Sequence, residues 1–431
     1  MTTLLSFLFV LGVLVFVHEL GHYLVARWYG VRVITFSLGF GPKIARVTRG
    51  GTEYCLSLIP LGGYVKLAGE TVQEDRQGAP DEFLSKSRWV RFQVYMAGPV
   101  MNILLAIVVL AGVLANGADV PAYLTSPPVV GSVVEDSPAA AAGLQPGDRV
   151  LSVDGRDVYT WESLELEIAT KAEREVTMLV DRAGQHVSVR MTPSAVGRYD
   201  QGSIGILPVL RPQIMQVNPG TPAERAGLQP GDVLLAVEGE EGLSQQEVIE
   251  RIRASANRAL AVTVERSGSP LTLTVTPEGS EGAGVIGVSI SPYETRRIDP
   301  GIGEAFVMSL ERNWESTLLI GRTLRGLFTT ETPVRQLMGP VAIAELSGSA
   351  AQAGWVALFN LMAILSLNLG LLNLMPVPVL DGGHIAILAV EGIARRDLSL
   401  RVKERILTLG ALMIVLLMVT VIFNDISRLL R

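Results

Sequence analysis

Leu4-Leu5-Ser6-Phe7-Leu8-Phe9-Val10-Leu11-Gly12-Val13-Leu14-Val15-Phe16-Val17-His18-Glu19-Leu20-Gly21-His22 opens the chain. The run from Leu4 to Val17 is apolar, and it ends on two imidazoles and a carboxylate. Those groups are very costly to place against lipid unless something binds them. A His-Glu-x-x-His pair on a helix sets both rings on one face, one turn apart, where a single Zn²⁺ can bridge them. The Glu between them is placed to act as a general base. With 4 histidines in 431 residues, this pentamer rarely arises by chance, and more rarely inside an apolar run of membrane length. The stretch therefore predicts a span that binds a metal.

Composition frames that reading. The mean hydropathy is +0.38 and 48% of residues are hydrophobic, which predicts a few spans joined to water-soluble domains. A formal net charge of −6 offers no basic surface of the kind nucleic acid needs. Cys55 is the only cysteine, so no intramolecular disulfide exists. The first Lys or Arg is Arg27, and no A-x-A site precedes the His-Glu motif, so the N-terminus reads as an uncleaved span.

Apolar stretches near 3–25, 97–116, 355–375 and 407–423 each approach the ~20 residues a helix needs to cross the hydrocarbon core. We assign spans to 1–26, 96–117, 352–384 and 406–424. Between the first two lie Arg27, Arg32, Lys43, Arg46, Arg49, Lys66, Arg76, Lys86, Arg88 and Arg91; between the last two, Arg395, Arg396, Arg401, Lys403 and Arg405. The positive-inside rule puts both segments in the cytoplasm. Both termini and residues 117–354 then lie outside, and the His motif sits at the cytoplasmic end of its span.

Within 27–95, Val31–Phe36, Tyr54–Ile59 and Gly63–Leu67 read as short strands. Turns at Gly39-Phe40-Gly41-Pro42, Arg49-Gly50-Gly51 and Pro60-Leu61-Gly62-Gly63 separate them. Either the sheet dips into the membrane and offers an edge to an extended peptide, or it is a small cytoplasmic β-domain. Residues 70–91 read as a polar exposed loop.

The outer region repeats. Ser137-Pro138-Ala139-Ala140-Ala141-Ala142-Gly143-Leu144-Gln145-Pro146-Gly147-Asp148 returns as Thr221-Pro222-Ala223-Glu224-Arg225-Ala226-Gly227-Leu228-Gln229-Pro230-Gly231-Asp232. Each copy later carries Gly-x-Ile-Gly, as Gly202-Ser203-Ile204-Gly205 and Gly284-Val285-Ile286-Gly287. The copies, 126–209 and 210–293, resemble PDZ domains. Because the Gly-x-Ile-Gly loop comes last, they look circularly permuted. Its amides (Gly202, Ile204, Gly205; Gly284, Ile286, Gly287) are placed to receive a terminal carboxylate. The alternative is a pair of spacers or a sieve over the membrane site. After the repeats, Phe306, Leu310, Trp314, Leu318 and Leu324/Phe328 recur at helical spacing. An amphipathic helix over 300–335 follows, lying on the outer membrane surface or packing against the repeats.

A second chemical centre ends the third span, Asn368 to His384. Pro376 and Pro378 lack an N–H and must break or bend a helix, which is tolerated at membrane depth only where it lines a cavity. Asp381 then shares the depth of the His pair. It is the best third ligand of a zinc that keeps one position open for water. His384 is either a further ligand or a neighbour contacting the ligands. Asn368 and Asn373 are costly amides in an apolar helix, and Asn373 is placed to hydrogen-bond a substrate carbonyl or a developing oxyanion. His186, far along the first repeat, reads as an ordinary histidine.

Taken together, His-Glu-x-x-His in the first span, Asn-x-x-Pro-x-Pro-x-x-Asp-Gly-Gly in the third, and two PDZ repeats between resemble the site-2 protease family of intramembrane metalloproteases. The likeness covers essentially the whole chain. It implies a multi-span α-helical membrane protein with four transmembrane helices. It also implies a small membrane-associated β-sheet and two tandem, circularly permuted PDZ domains of α+β class. It implies one Zn²⁺ per chain on His18, His22 and Asp381, with Glu19 and Asn373 catalytic. Gly62, Gly63, Tyr64 and Val65 match the family's β-loop. With Asn368, Pro376 and Pro378 they are the expected substrate-binding residues. The implied partners are the lipid bilayer, a pre-trimmed anti-sigma factor and signal-peptide remnants, with release of an envelope stress sigma factor. The implied place is a bacterial inner membrane, with termini and PDZ domains periplasmic. A membrane-anchored PDZ scaffold would not need the metal triad. A metal transporter would need a polar path that the apolar run Leu8–Val17 does not offer.

Overall fold

The computed structural model describes residues 2–70, 78–197, 200–280, 283–329 and 337–429. It divides into two compact units, Met1–Gly117 with Asp299–Arg431, and Ala118–Ile298.

In the first unit, helix α1 (Thr2–Trp28) carries the apolar run straight through the His motif. It stops at Gly30, whose φ of +63° lets the Val31 N–H reach back to the Ala26 carbonyl. Strands β1 (Val33–Arg49) and β2 (Thr52–Leu67) follow. Helix α2 (Arg88–Ala115) starts where Ser87 accepts the Val90 N–H. The second half of the unit comprises α3 (Ile302–Phe328), α4 (Pro340–Ala353), α5 (Trp355–Asn373), α6 (Asp381–Ala394) and α7 (Leu400–Leu429). Among the described residues, four helices are long and apolar enough to cross a membrane: α1, α2, α5 and α7.

Close backbone approaches set the bundle. A Cβ on Gly21 would lie 2.4 Å from the Ala97 carbonyl oxygen, so α1 rides directly on α2. A Cβ on Gly370 would lie 2.9 Å from the Pro99 carbonyl oxygen, so α5 does the same on the far side. Only glycine permits such contact at full packing density. Asp425, buried in α7, accepts the N–H groups of Gly339, Val341 and Ala342, which caps the start of α4.

The helix after the repeats packs against α2. Ala305 lies in a buried cluster with Leu110 and Leu114, and Ser309 Oγ donates to the Ile107 carbonyl at 2.7 Å. Phe306, Leu310, Trp314 and Leu318 stay exposed on the other face. The Phe328 side chain and residues 330–335 of the expected helix lie outside the described residues.

The sheet is more folded than three short strands. Val33–Leu38 of β1 pairs on one side with Glu53–Leu56 and on the other with Gly63–Leu67; Lys43–Arg49 pairs with Thr52–Ser57. Positive φ at Gly39, Gly41 and Gly62 bends the two long strands into these four paired segments. The expected turns at 39–42 and 60–63 are therefore bends within strands. Lys43–Arg49 is an additional segment that the sequence reading lacked. Among the described pairings, Gly63–Leu67 is an edge.

The second unit holds the repeat. In the first copy a four-stranded antiparallel sheet runs Arg156–Asp157, Arg149–Val153, Val176–Arg182, Gln185–Met191 beside the helix Trp161–Ala169. In the second, Ser269–Val275, Leu260–Arg266, Val233–Val237, Gln213–Val217 and Val288–Ser291 line up beside the helix Gln245–Ala254. Ala118–Pro121 and Thr295–Ile298, the two ends of the unit, pair antiparallel. The repeated Gly-Asp turn is built the same way twice. Arg182 donates to Asp148 and to the Gly143 carbonyl; Arg266 donates to Asp232 and to the Gly227 carbonyl. Val150, Met178 and Val180 are fully buried in one copy and Val237 and Val264 in the other. Each such side chain contributes about 1.5–3 kcal/mol by leaving water.

Candidate metal centre and active site

The spacing of His18 and His22 on α1 brings the two rings side by side, their centroids 4.9 Å apart. Their Nε2 atoms are 3.2 Å apart. Asp381 enters from the first turn of α6, with Oδ2 3.1 Å from His18 Nε2 and Oδ1 3.5 Å from His22 Nε2. Four donors placed about 2.0–2.1 Å from a tetrahedral zinc stand roughly 3.3–3.4 Å from one another. The separation of the two Nε2 atoms is close to that spacing, and each imidazole has one oxygen of the Asp381 carboxylate within 3.5 Å. Among the described residues, these three are the set of His, Cys, Asp and Glu whose donor atoms converge for a metal.

The turn that delivers Asp381 follows from the prolines. Pro376 and Pro378 end α5, and the helix resumes at Asp381. Gly382 and Gly383 make the return possible. A Cβ on the first would lie 2.3 Å from the Leu374 and Met375 carbonyl oxygens, and on the second 2.2 Å from that of Val377. The start of a helix also favours a carboxylate.

Helix α2 closes the back of the site. Val94, Gly98 and Asn102 are four residues apart and share one face. The Val94 carbonyl oxygen is 2.7 Å from His22 Nδ1, and Asn102 Nδ2 is 3.3 Å from His18 Nδ1. Gly98 lies under both rings: a Cβ there would sit 2.3 Å from His22 Nε2 and 2.7 Å from His18 Nε2. The sequence reading missed all three. An available signal was Asn102, an amide within the apolar second span, where a polar side chain is costly.

A cavity of about 600 Å³ opens in front of the three donors. Its wall includes Glu19, the strand segment Gly62, Gly63, Tyr64 and Val65, and Asn373 across from it on α5. The edge strand lies against Glu19: a Cβ on Gly63 would be 3.2 Å from Glu19 Cγ. His384 also lines the cavity, its ring stacked on Tyr95 at 4.8 Å, outside the converging donor set.

The expected residues Asn368, Pro376 and Pro378 do not line this cavity. Asn368 precedes Asn373 by five positions, about 140° around the helix, whereas Leu369 is one turn away and does line it. The prolines act on backbone shape instead, and Pro378 packs against Gly410 of α7. Ile204 and Ile286 of the two repeat loops are buried in their cores. Gly202 and Gly284 pack against the carbonyls of Ile168 and Ile252, at the C-terminal ends of the helices.

The model of peptidase family M50 matches residues 6–417. The regulator of sigma-E protease RseP of Escherichia coli is 37% identical over 452 residues, covering 99% of this chain and 98% of that protein. A protein of Neisseria meningitidis whose name assigns it to the zinc metalloproteases is 37% identical over 459 residues, covering 100% of both chains. Among solved structures, the PDZ domain of an SdrC-like protein from Listeria innocua matches 19% of this chain and 93% of its own. The identity there is 25% and the TM-score 0.18. With three converging side chains that could hold a metal ion, four helices of membrane length and relatives matched end to end, the chain belongs to peptidase family M50 and is a zinc metalloprotease.

Proposed function

We propose that this protease cuts peptide bonds inside the membrane-spanning segments of single-span proteins. The observation that carries the reading is the cavity that holds His18, His22, Asp381 and Glu19 behind a strand edge, among helices of membrane length. Bound by those three side chains, one zinc per chain would supply a Lewis acid and a more acidic water. Glu19, which lines the same cavity, would serve as the base toward an attacking water and as the acid toward the leaving amine. The Asn373 amide donates to the carbonyl oxygen as its charge grows. A helix hides its carbonyls in i→i−4 bonds, so the substrate must unwind to be cut. The edge Gly63–Leu67, with Gly62 at its start, holds the unwound segment extended by strand addition.

The name of the Escherichia coli relative ties it to sigma-E. By analogy, the substrates here are an anti-sigma factor already trimmed outside the membrane and remnant signal peptides, with release of an envelope stress sigma factor. Charge bias around the spans supports a bacterial inner-membrane placement, with both termini and the repeats periplasmic and the zinc near the cytoplasmic side. The repeats read as tandem, circularly permuted PDZ domains that screen out substrates with bulky outer domains or take a peptide terminus at the Gly-x-Ile-Gly loops. The test is cleavage of a truncated single-span substrate by the purified wild type and by Glu19→Gln, with zinc quantified in both. Loss of cleavage with zinc retained supports the mechanism, and equal cleavage overturns it.

A further inference from the structure

A zinc-bound imidazole needs its other ring nitrogen held, because that contact fixes both the tautomer and the ring plane. His22 has such a partner in the Val94 carbonyl, 2.7 Å from Nδ1. The group facing His18 Nδ1 is the Asn102 side chain, at 3.3 Å. Asn102 is fully buried, and its Oδ1 has no hydrogen-bond partner among the described residues. Its backbone is pinned as well: Ser366 Oγ on α5 donates to the Asn102 carbonyl at 2.7 Å.

We propose that Asn102 is a positioning residue for the zinc, acting through His18. With the metal on Nε2, the proton of the His18 ring resides on Nδ1 and requires an acceptor. A half-turn of the Asn102 amide presents Oδ1 to that N–H and pairs the one oxygen of the side chain that is otherwise unmatched. Helix α2 then serves as the template for both ligands. A main-chain carbonyl holds His22, a side-chain amide holds His18, and Gly98 midway between them leaves room for the rings. The carbonyl needs no particular side chain, but the His18 position needs an acceptor of this length. The inference rests on His18 being a zinc ligand.

The test measures zinc affinity of the full-length purified protein by chelator competition. Wild type, His18→Ala, Asn102→Leu and Asn102→Asp are compared, with thermal unfolding of the chelator-treated forms as a check on folding. Asn102→Leu keeps the volume and removes the acceptor, so it should weaken zinc binding about 10- to 100-fold. Asn102→Asp keeps an acceptor and should stay close to wild type. In ¹⁵N spectra of histidine-labelled protein, zinc-loaded wild type should show a protonated His18 Nδ1, with exchange of that proton faster in Asn102→Leu. Affinity in Asn102→Leu equal to wild type, or a loss that Asp does not rescue, overturns the proposal. A His18→Ala protein that binds zinc as tightly as wild type overturns instead the ligand assignment beneath it.

Discussion

Gly98→Ala is the sharpest perturbation available to the site, because it adds one methyl where the two ligand rings converge. The new Cβ would lie 2.3 Å from His22 Nε2 and 2.7 Å from His18 Nε2. Ordinary contact begins near 3.4 Å, so the rings must retreat by about 1.1 and 0.7 Å or the helices must part. Neither is easy: Gly21 and Gly370 already hold α1 and α5 in backbone contact with α2. A zinc site tolerates only about ±0.2 Å in its bond lengths, so retreat of that size removes both imidazoles from useful range. The loss of zinc affinity should exceed the roughly 10- to 100-fold seen when a partner behind a ligand is removed. Chelator competition measures it, and Gly112→Ala on the same helix is the control, since nothing lies within 4 Å of its Cβ. Gly112→Ala should bind zinc as wild type does. A folded Gly98→Ala protein with wild-type zinc affinity would refute the placement of the rings against α2.

Three further outcomes follow from other contacts. Gly63→Ala would bring a methyl within 2.8 Å of the Ser37 carbonyl oxygen and 2.9 Å of Val15 Cγ1, displacing the edge strand. Cleavage should fall by more than tenfold while bound zinc stays constant; an unchanged rate would remove the edge from substrate binding. Chelation of purified protein should abolish cleavage, and added zinc should restore it; activity that survives exhaustive metal removal would contradict the triad. In the repeats, the Arg182 guanidinium beside Asp148 holds its carboxyl below the usual carboxylate range. That interaction stabilises the fold fully above the unfolded value near 3.9 and is lost as pH falls through the lower folded value. Protection of the Gln145 amide, whose N–H donates to Asp148, should therefore fall relative to its intrinsic exchange rate on acidification below about pH 4. Asp148→Asn should exchange faster already at neutral pH, by a margin worth about 1–3 kcal/mol. A protection factor that does not change across that pH range in the wild type would contradict that assignment.

Much of this could be read from residues alone, where one strong local rule governed. Membrane-length apolar runs announce spans, and His-Glu-x-x-His fixes two donors by helical pitch. The prolines before Asp381 signal a break. What the sequence concealed depends on which helices become neighbours. Gly98 is one of 44 glycines, and only the crossing of α1 over α2 gives it meaning. Asn102 is a polar residue in an apolar run that the sequence reading passed over, and nothing local says that its partner lies 84 positions earlier. Asn368 and Asn373 were equally conspicuous, and the turn of α5 separates them, with Asn373 at the cavity and Asn368 away from it. Lys43–Arg49 escaped notice because Gly39, Gly41 and Pro42 read as a turn, whereas the chain bends there and continues as strand.

The most direct test of the account is where the bond breaks. A single-span substrate lacking its outer domain is incubated with purified protein in lipid, and mass spectrometry locates the cut. We expect cleavage within the apolar segment, toward its cytoplasmic half, by wild type alone, with Glu19→Gln inactive yet holding as much zinc. Cuts confined to the water-exposed parts of the substrate, or the same products from Glu19→Gln, would contradict intramembrane proteolysis at this site.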